Sequence, residues 1–145
     1  MEKVLYTAQA RVAGGRAHGH GETTDGALAV DLRPPAELGG EGDGTNPEQL
    51  FAVGYASCFG SALALVAKRN KLDADDAEIE SKVMLLPTEE RGFKLAVELD
   101  VTMPSVEDSS QAVDLVATAH KVCPYSNATR GNIDVKLTAN GAEVG

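Results

Sequence analysis

The sequence predicts an α+β fold, an antiparallel sheet with two main helices in the order β-β-β-α-β-β-α-β, as a single domain over residues 1–145. Three observations carry this. Apolar and other residues alternate with period two near both ends of the chain and in the middle, as in half-buried strands. A stretch from Leu50 to Ala67 carries no charge and is far too long for a strand. Strands and helices do not alternate as βαβαβ, which excludes a doubly wound parallel sheet.

The elements follow in order. Over Lys3–Val12, the residues Val4, Tyr6, Ala8, Ala10 and Val12 alternate with Leu5, Thr7, Gln9 and Arg11, a strand pattern whose polar face Leu5 weakens. Gly14-Gly15 turns the chain into a second strand over Arg16–Thr23, and Asp25-Gly26 is a hairpin signal before a third, Ala27–Leu32. Pro34-Pro35 opens a Gly-, Pro- and acid-rich loop over residues 33–46, long enough to be functional. Asn46-Pro47-Glu48 then starts a helix: an N-cap, a first-turn proline and an acid at the positive end of the dipole. That helix runs to about Asn70 and, being uncharged on every side in its middle, is expected to be central and buried. Strands over Ile79–Leu86 and Phe93–Met103 flank a turn at Glu89-Glu90-Arg91-Gly92. Ser105-Val106-Glu107-Asp108 resembles a capping box, after which Ala112, Val116, Ala119 and Cys123 form one apolar stripe, and Pro124 stops the helix. Asn132–Ala139 is the last strand.

Composition narrows the function classes. The net charge of −9 gives a surface that repels phosphate backbones and anionic lipid heads, so no nucleic-acid or membrane partner is expected. No stretch reads as a membrane span. Met1-Glu2-Lys3-Val4 lacks the basic and apolar regions of a signal peptide, so the expected location is cytoplasmic.

In a reducing cytoplasm, two thiols that matter tend to be catalytic, redox-active or metal-binding rather than a structural disulfide. Taken alone, Cys58 and Cys123 also fit inert buried residues, because free cysteine packs like a small hydrophobe. A reactive Cys58 would need a cation, since apolar burial raises a thiol pKa and its own helix terminus is too distant. Arg16, after the flexible Gly14-Gly15, is the candidate, and Glu48 is suited to orient its guanidinium.

Two longer motifs decide between these readings. Gly44-Thr45-Asn46-Pro47-Glu48-Gln49-Leu50-Phe51, leading into Gly54-Tyr55-Ala56-Ser57-Cys58-Phe59, resembles the first cysteine motif of the organic hydroperoxide resistance (Ohr) branch of the Ohr/OsmC family. Val122-Cys123-Pro124-Tyr125-Ser126-Asn127-Ala128-Thr129-Arg130-Gly131-Asn132 resembles the second, and Gly14-Gly15-Arg16 the arginine loop. The resemblance covers nearly the whole chain. It implies a thiol peroxidase acting on organic (alkyl or lipid) hydroperoxides. Cys58 would be the peroxidatic nucleophile and Cys123 the resolving thiol, with Arg16 and Glu48 activating the thiolate. It further implies an OsmC-like two-layer fold, an interlocked homodimer, no bound cofactor, and an external dithiol electron donor such as a protein-bound lipoyl group. One departure is Ala17-His18, where related sequences often have an acid after the arginine.

Glu48 and Cys58 lie ten residues apart on one expected helix, about 15 Å along its axis. Either that helix is broken or Glu48 serves the other subunit's Cys58; the second is the expectation. A metal site using His18, His20 or His120 is not expected, because no paired Cys-x-x-Cys motif accompanies them. Asn127-Ala128-Thr129 matches a glycosylation acceptor, but that is irrelevant in the cytoplasm. Gly39–Gly44 lacks the lysine of a phosphate loop. Two rival classes remain: a binding module whose apolar helix lines a hydrophobic pocket, and a redox sensor using the same cysteines.

Overall fold

The computed structural model describes residues 2–145, organised as two compact units, residues 1–50 and residues 51–145. In the first unit, β1 (Ala10–Ala13), β2 (Gly19–Thr23) and β3 (Ala29–Leu32) form an antiparallel sheet in that order. Its first strand is shorter than the alternation from Lys3 predicts. The reason is the partner: β2 has five residues, and the ladder ends where Ala10 faces Thr23. Residues 2–9 are exposed and lie outside any strand, with Gln9 accepting one bond from the Thr24 amide.

The second strand also starts late. Gly14 and Gly15 take φ values of 87° and 59°, and the chain makes a single helical turn, α1 (Gly15–His18), before β2 begins. A Cβ on Gly14 would lie 2.5 Å from the His18 carbonyl oxygen, so only glycine fits. The third strand is delayed by the Asp25 side chain, which accepts bonds from Thr23 Oγ1 and the Ala27 amide and holds the turn.

Helix α2 (Pro47–Arg69) starts as its sequence dictates, with the Gln49 amide donating to Asn46 Oδ1 at 2.8 Å. It is unbroken over its 23 residues. Among the described residues it is the one helix that matches a membrane span by length and composition. The expectation of burial on every side fails for this chain. Tyr55, Phe59, Ala62, Leu63, Val66 and Ala67 are buried, whereas Val53, Ser57, Ser61 and Leu65, spaced by four, are exposed. Those four share one helix face, which the second unit leaves exposed.

In the second unit, β4 (Glu78–Pro87), β5 (Phe93–Thr102), β6 (Val135–Ala139) and β7 (Ala142–Val144) form a sheet in that order. The pairing of β5 with β6 is parallel, with Leu99 opposite Leu137, so this sheet is mixed rather than antiparallel throughout. Parallel neighbours need a crossover, here supplied by α3 (Ser109–Val122) and α4 (Pro124–Thr129). Two details differ from expectation. Asp108, not Ser105, caps α3 by accepting from the Gln111 amide, while Ser105 bonds Asp76. Pro124 does end α3, but it also occupies the first position of α4, where its missing N–H costs nothing. Apolar residues of β5 and β6 (Val97, Leu99, Val101, Leu137, Ala139) pack with Ala112, Val116 and Ala119 of α3 and the buried face of α2. The predicted α3 stripe is thus fully buried, Cys123 included.

The expected last strand over residues 132–139 is a shorter β6 followed by a turn at Asn140-Gly141 and β7. Asn140, at φ 48°, accepts from the Met103 amide and donates to the carbonyls of Met103 and Val106. Asn140→Ala, which loses these bonds and strains the left-handed backbone, is expected to cost about 1–3 kcal/mol in urea denaturation. Asn140→Gly, which keeps the backbone conformation, should cost measurably less.

Candidate active site: a thiol pair and an arginine–glutamate pair

The four residues singled out in the sequence form two pairs. In the second unit, Cys58 on α2 and Cys123 at the α3–α4 junction bring their sulfurs to 3.6 Å, both as free thiols. In the first unit, Arg16 on α1 makes two bonds to Glu48, Nη1 to Oε1 at 2.7 Å and Nη2 to Oε2 at 3.3 Å. This fork-to-carboxylate geometry fixes the plane of the guanidinium and leaves further N–H groups free to donate. The bond to Glu48 raises the Arg16 pKa from an already high ordinary value, so its charge is permanent.

Cys123 is held by its backbone from both sides. Its amide donates to Ala119 O, closing α3, and its carbonyl accepts from the Asn127 amide, opening α4. Its side chain is fully buried, whereas Cys58 is partly exposed. Solvent and a small substrate therefore reach Cys58 first. Desolvation pushes the Cys58 thiol above its ordinary value; the Tyr125 backbone N–H, directed at its sulfur, pulls it down, and Cys123 pushes it up again. Within its own unit, Cys58 is a protonated and weak nucleophile.

Beside the thiols, the rings of Phe51, Tyr55 and Tyr125 meet edge-on or tilted, with centroids 5.7–6.0 Å apart. An open groove of about 850 Å³ begins at Pro124 and Tyr125, directly after Cys123, and is walled by Phe51, Phe93, Leu95 and Ile133.

Sequence reasoning missed a set of buried hydroxyls. Tyr55 Oη lies 2.8 Å from Ser126 Oγ and 3.0 Å from Thr129 Oγ1, and His120 Nδ1 lies 2.8 Å from the same Ser126 Oγ. A signal existed: Tyr55 precedes Cys58 by three residues and Ser126 follows Cys123 by three, the spacing that places side chains on one helical face. Two of the three histidines weighed as metal ligands have other partners: His20 Nδ1 pairs with Asp31 at 2.8 Å, with Glu22 nearby, and His120 joins Ser126. Among the described residues, no group of three or more His, Cys, Asp or Glu side chains is arranged to hold a metal ion.

Comparison with known proteins shows the family of the chain. The family model described as OsmC-like protein matches residues 40–138. The chain is 52% identical over 141 residues to the organic hydroperoxide resistance protein of Xanthomonas axonopodis pv. citri, covering 94% of this chain and 96% of that one. It is 50% identical over 135 residues to the organic hydroperoxide resistance protein OhrB of Bacillus subtilis, covering 92% and 96%. Among solved structures, an organic hydroperoxide resistance protein of Legionella pneumophila superposes with a TM-score of 0.88 at 56% identity, over 93% of this chain and 97% of that one. One from Vibrio cholerae, with captopril bound in one of its active sites, superposes at 0.92 with 42% identity, over 98% and 96%.

Burial, then the Arg130 charge, lowers the His120 pKa below its ordinary 6.5. The unfolded chain therefore takes up a proton near pH 6.5 that the folded chain refuses. The stability this histidine contributes is complete above that pH and is lost as pH falls from there toward its lowered folded value. His20, raised by Asp31, has the opposite sign. The difference in Tm between the protein and His120→Asn, measured from pH 8 to 5, should isolate the His120 effect, the variant losing less on acidification.

Proposed function

Because the chain belongs to the OsmC-like protein family, in its organic hydroperoxide resistance branch, we propose that it is a cysteine-based thiol peroxidase that reduces organic hydroperoxides to alcohols. The observation that carries the reading is the pair of free thiols 3.6 Å apart, one partly exposed and one buried. The Cys58 thiolate attacks the distal peroxide oxygen, the O–O bond breaks, and the alcohol leaves with a proton, giving a sulfenic acid. Cys123 then displaces the sulfenic hydroxyl as water and forms a disulfide, which protects Cys58 from irreversible over-oxidation. An external dithiol, of the lipoyl type, reduces the disulfide by exchange. Two thiols working through such exchange suit a reducing cytoplasm. The apolar groove beginning at Pro124 and Tyr125 favours alkyl and lipid hydroperoxides over hydrogen peroxide.

The raised Cys58 pKa requires a cation, and Arg16, oriented by Glu48, is the one proposed. Since α2 is unbroken, the alternative of a broken helix falls away. We assign the Arg16–Glu48 pair of one subunit to the partner subunit's Cys58. Two further features support a homodimer: the exposed Val4, Leu5 and Tyr6 on the unpaired residues 2–9, and the exposed Val53–Leu65 face of α2. Val4, Leu5 and Tyr6, and Val53 and Leu65 on the helix face, are apolar side chains that a second copy would cover.

With dihydrolipoamide as reductant, the protein should turn over cumene hydroperoxide faster than hydrogen peroxide. Cys58→Ser should abolish this, and Cys123→Ser should reduce one equivalent and then stall. Absence of turnover by the fully reduced protein would favour the binding module. Arg16→Ala should raise the Cys58 pKa, followed by thiolate absorbance, by about one to three, the usual effect of losing an adjacent opposite charge. Mixing Cys58→Ser with Glu48→Ala subunits should restore activity that neither homodimer has; no recovery would return Glu48 to its own subunit.

A further inference from the structure

We propose that Tyr55, Ser126, Thr129 and His120 form a positioning network for Cys123, setting how fast the sulfenic acid on Cys58 closes to the disulfide. This rests on the thiol-peroxidase reading and adds to it a second set of residues, of which only Thr129 also lines the groove proposed for the substrate.

The network is directional. Each hydroxyl has one hydrogen to give. Thr129 Oγ1 donates to the Ser126 carbonyl at 3.3 Å, so the Tyr55 hydroxyl donates to Thr129. Ser126 Oγ then donates to Tyr55, and His120 Nδ1–H donates to Ser126. The chain therefore runs from α3 through α4 to α2 and back into α4, and His120 carries its proton on Nδ1. Arg130 closes the arrangement by donating from Nη1 to the His120 carbonyl at 2.7 Å and from Nη2 to Asn127 Oδ1 at 2.6 Å. Ser126 and Thr129 are buried and Tyr55 is fully buried, so the bonds among these three are made away from competing water, while the His120 bond is partly buried and those of Arg130 are exposed.

Position relative to the thiols gives the network its role. Tyr55 lies three residues before Cys58 on α2, and Ser126 three residues after Cys123 on α4. Two rungs thus join the same elements, Tyr55 to Ser126 at 2.8 Å and Cys58 to Cys123 at 3.6 Å. The hydroxyl rung is a fixed strut; the sulfur rung must shorten to about 2.05 Å. In that step the Cys123 thiol attacks the Cys58 sulfur, the S–S bond forms, the S–O bond breaks, and hydroxyl and thiol proton leave as water. Cys58 sulfur is reduced and Cys123 sulfur oxidised. The buried thiol makes this attack over a short path only while α4 is held against α2. Misplacement by about an ångström slows a reaction between positioned groups by up to about a hundredfold. The bonds made and broken when peroxide attacks Cys58 involve none of the network hydroxyls, whereas closure depends on where α4 holds Cys123.

The two steps should therefore separate. In rapid-quench experiments on the full-length protein with one equivalent of cumene hydroperoxide, Tyr55→Phe and Ser126→Ala should oxidise Cys58 within about threefold of the unaltered rate. Disulfide formation should fall by about ten- to a hundredfold, with sulfenic acid trapped by dimedone and sulfinic acid appearing under excess peroxide. Thr129→Val should slow disulfide formation and Thr129→Ser should not; because Thr129 also lines the substrate groove, this pair is read on the closure rate alone, which keeps the test open if Tyr55→Phe does not fold. Folded variants that close the disulfide at the unaltered rate would overturn the proposal, as would oxidation and closure slowing in equal proportion. Failure of the unaltered protein to consume peroxide would instead sink the peroxidase reading itself.

Discussion

A sulfur taken out of water keeps its proton, and much of this molecule is arranged around that constraint. Cys58 sits midway along α2 among apolar neighbours, where desolvation outweighs the single backbone N–H that Tyr125 aims at it. The same apolar surroundings suit an alkyl hydroperoxide. The proposed substrate preference and the thiol's sluggishness thus share one cause. In the proposed mechanism activation comes from a charge that burial cannot neutralise, a part that an arginine fixed by a carboxylate suits. Glu48 does two jobs at once: it favours the positive end of α2 and it orients Arg16.

Cys123 illustrates how secondary structure itself aims a reactive group. It belongs fully to neither α3 nor α4. Its extended backbone joins two helices whose terminal hydrogen bonds it completes on either side. Pro124 makes this junction possible, because it both ends one helix and starts the next. The result is a thiol fixed in depth and direction without any contact to solvent.

What the sequence made legible was local or carried by long motifs. The clean alternation of Phe93–Thr102 and the Asn46-Pro47-Glu48 start are written in consecutive residues, and both appear where expected. The roles of the two cysteines rest on a family resemblance, whereas Arg16 and Glu48 are suggested first by the need for a cation and a carboxylate to orient it, and then by the resemblance. The illegible features are those that depend on distant partners. The parallel register of β5 and β6 depends on how a crossover returns, and the length of β1 depends on where β2 turns. Tyr55 and Ser126 are 71 positions apart, and no periodicity announces that two such hydroxyls will meet. The capping of α3 was misplaced by three residues because Ser105 had a competing partner in Asp76.

The sulfurs that meet at 3.6 Å are separated by 65 positions in the chain. A bond between them would cross-link a long loop and remove conformational freedom from the unfolded chain, worth about 4 kcal/mol in the chain-entropy picture. Oxidation would then make the protein harder to unfold, and by thermodynamic linkage the fold would make the bond harder to reduce, at about 30 mV for each 1.4 kcal/mol. The proposed cycle reduces this disulfide repeatedly, and such a bond cannot be too well served by its scaffold. Two thiols that rest apart, rather than at bonding distance, keep a folded state that is complete without the cross-link. That is the architecture of a spring-loaded clasp rather than a rivet.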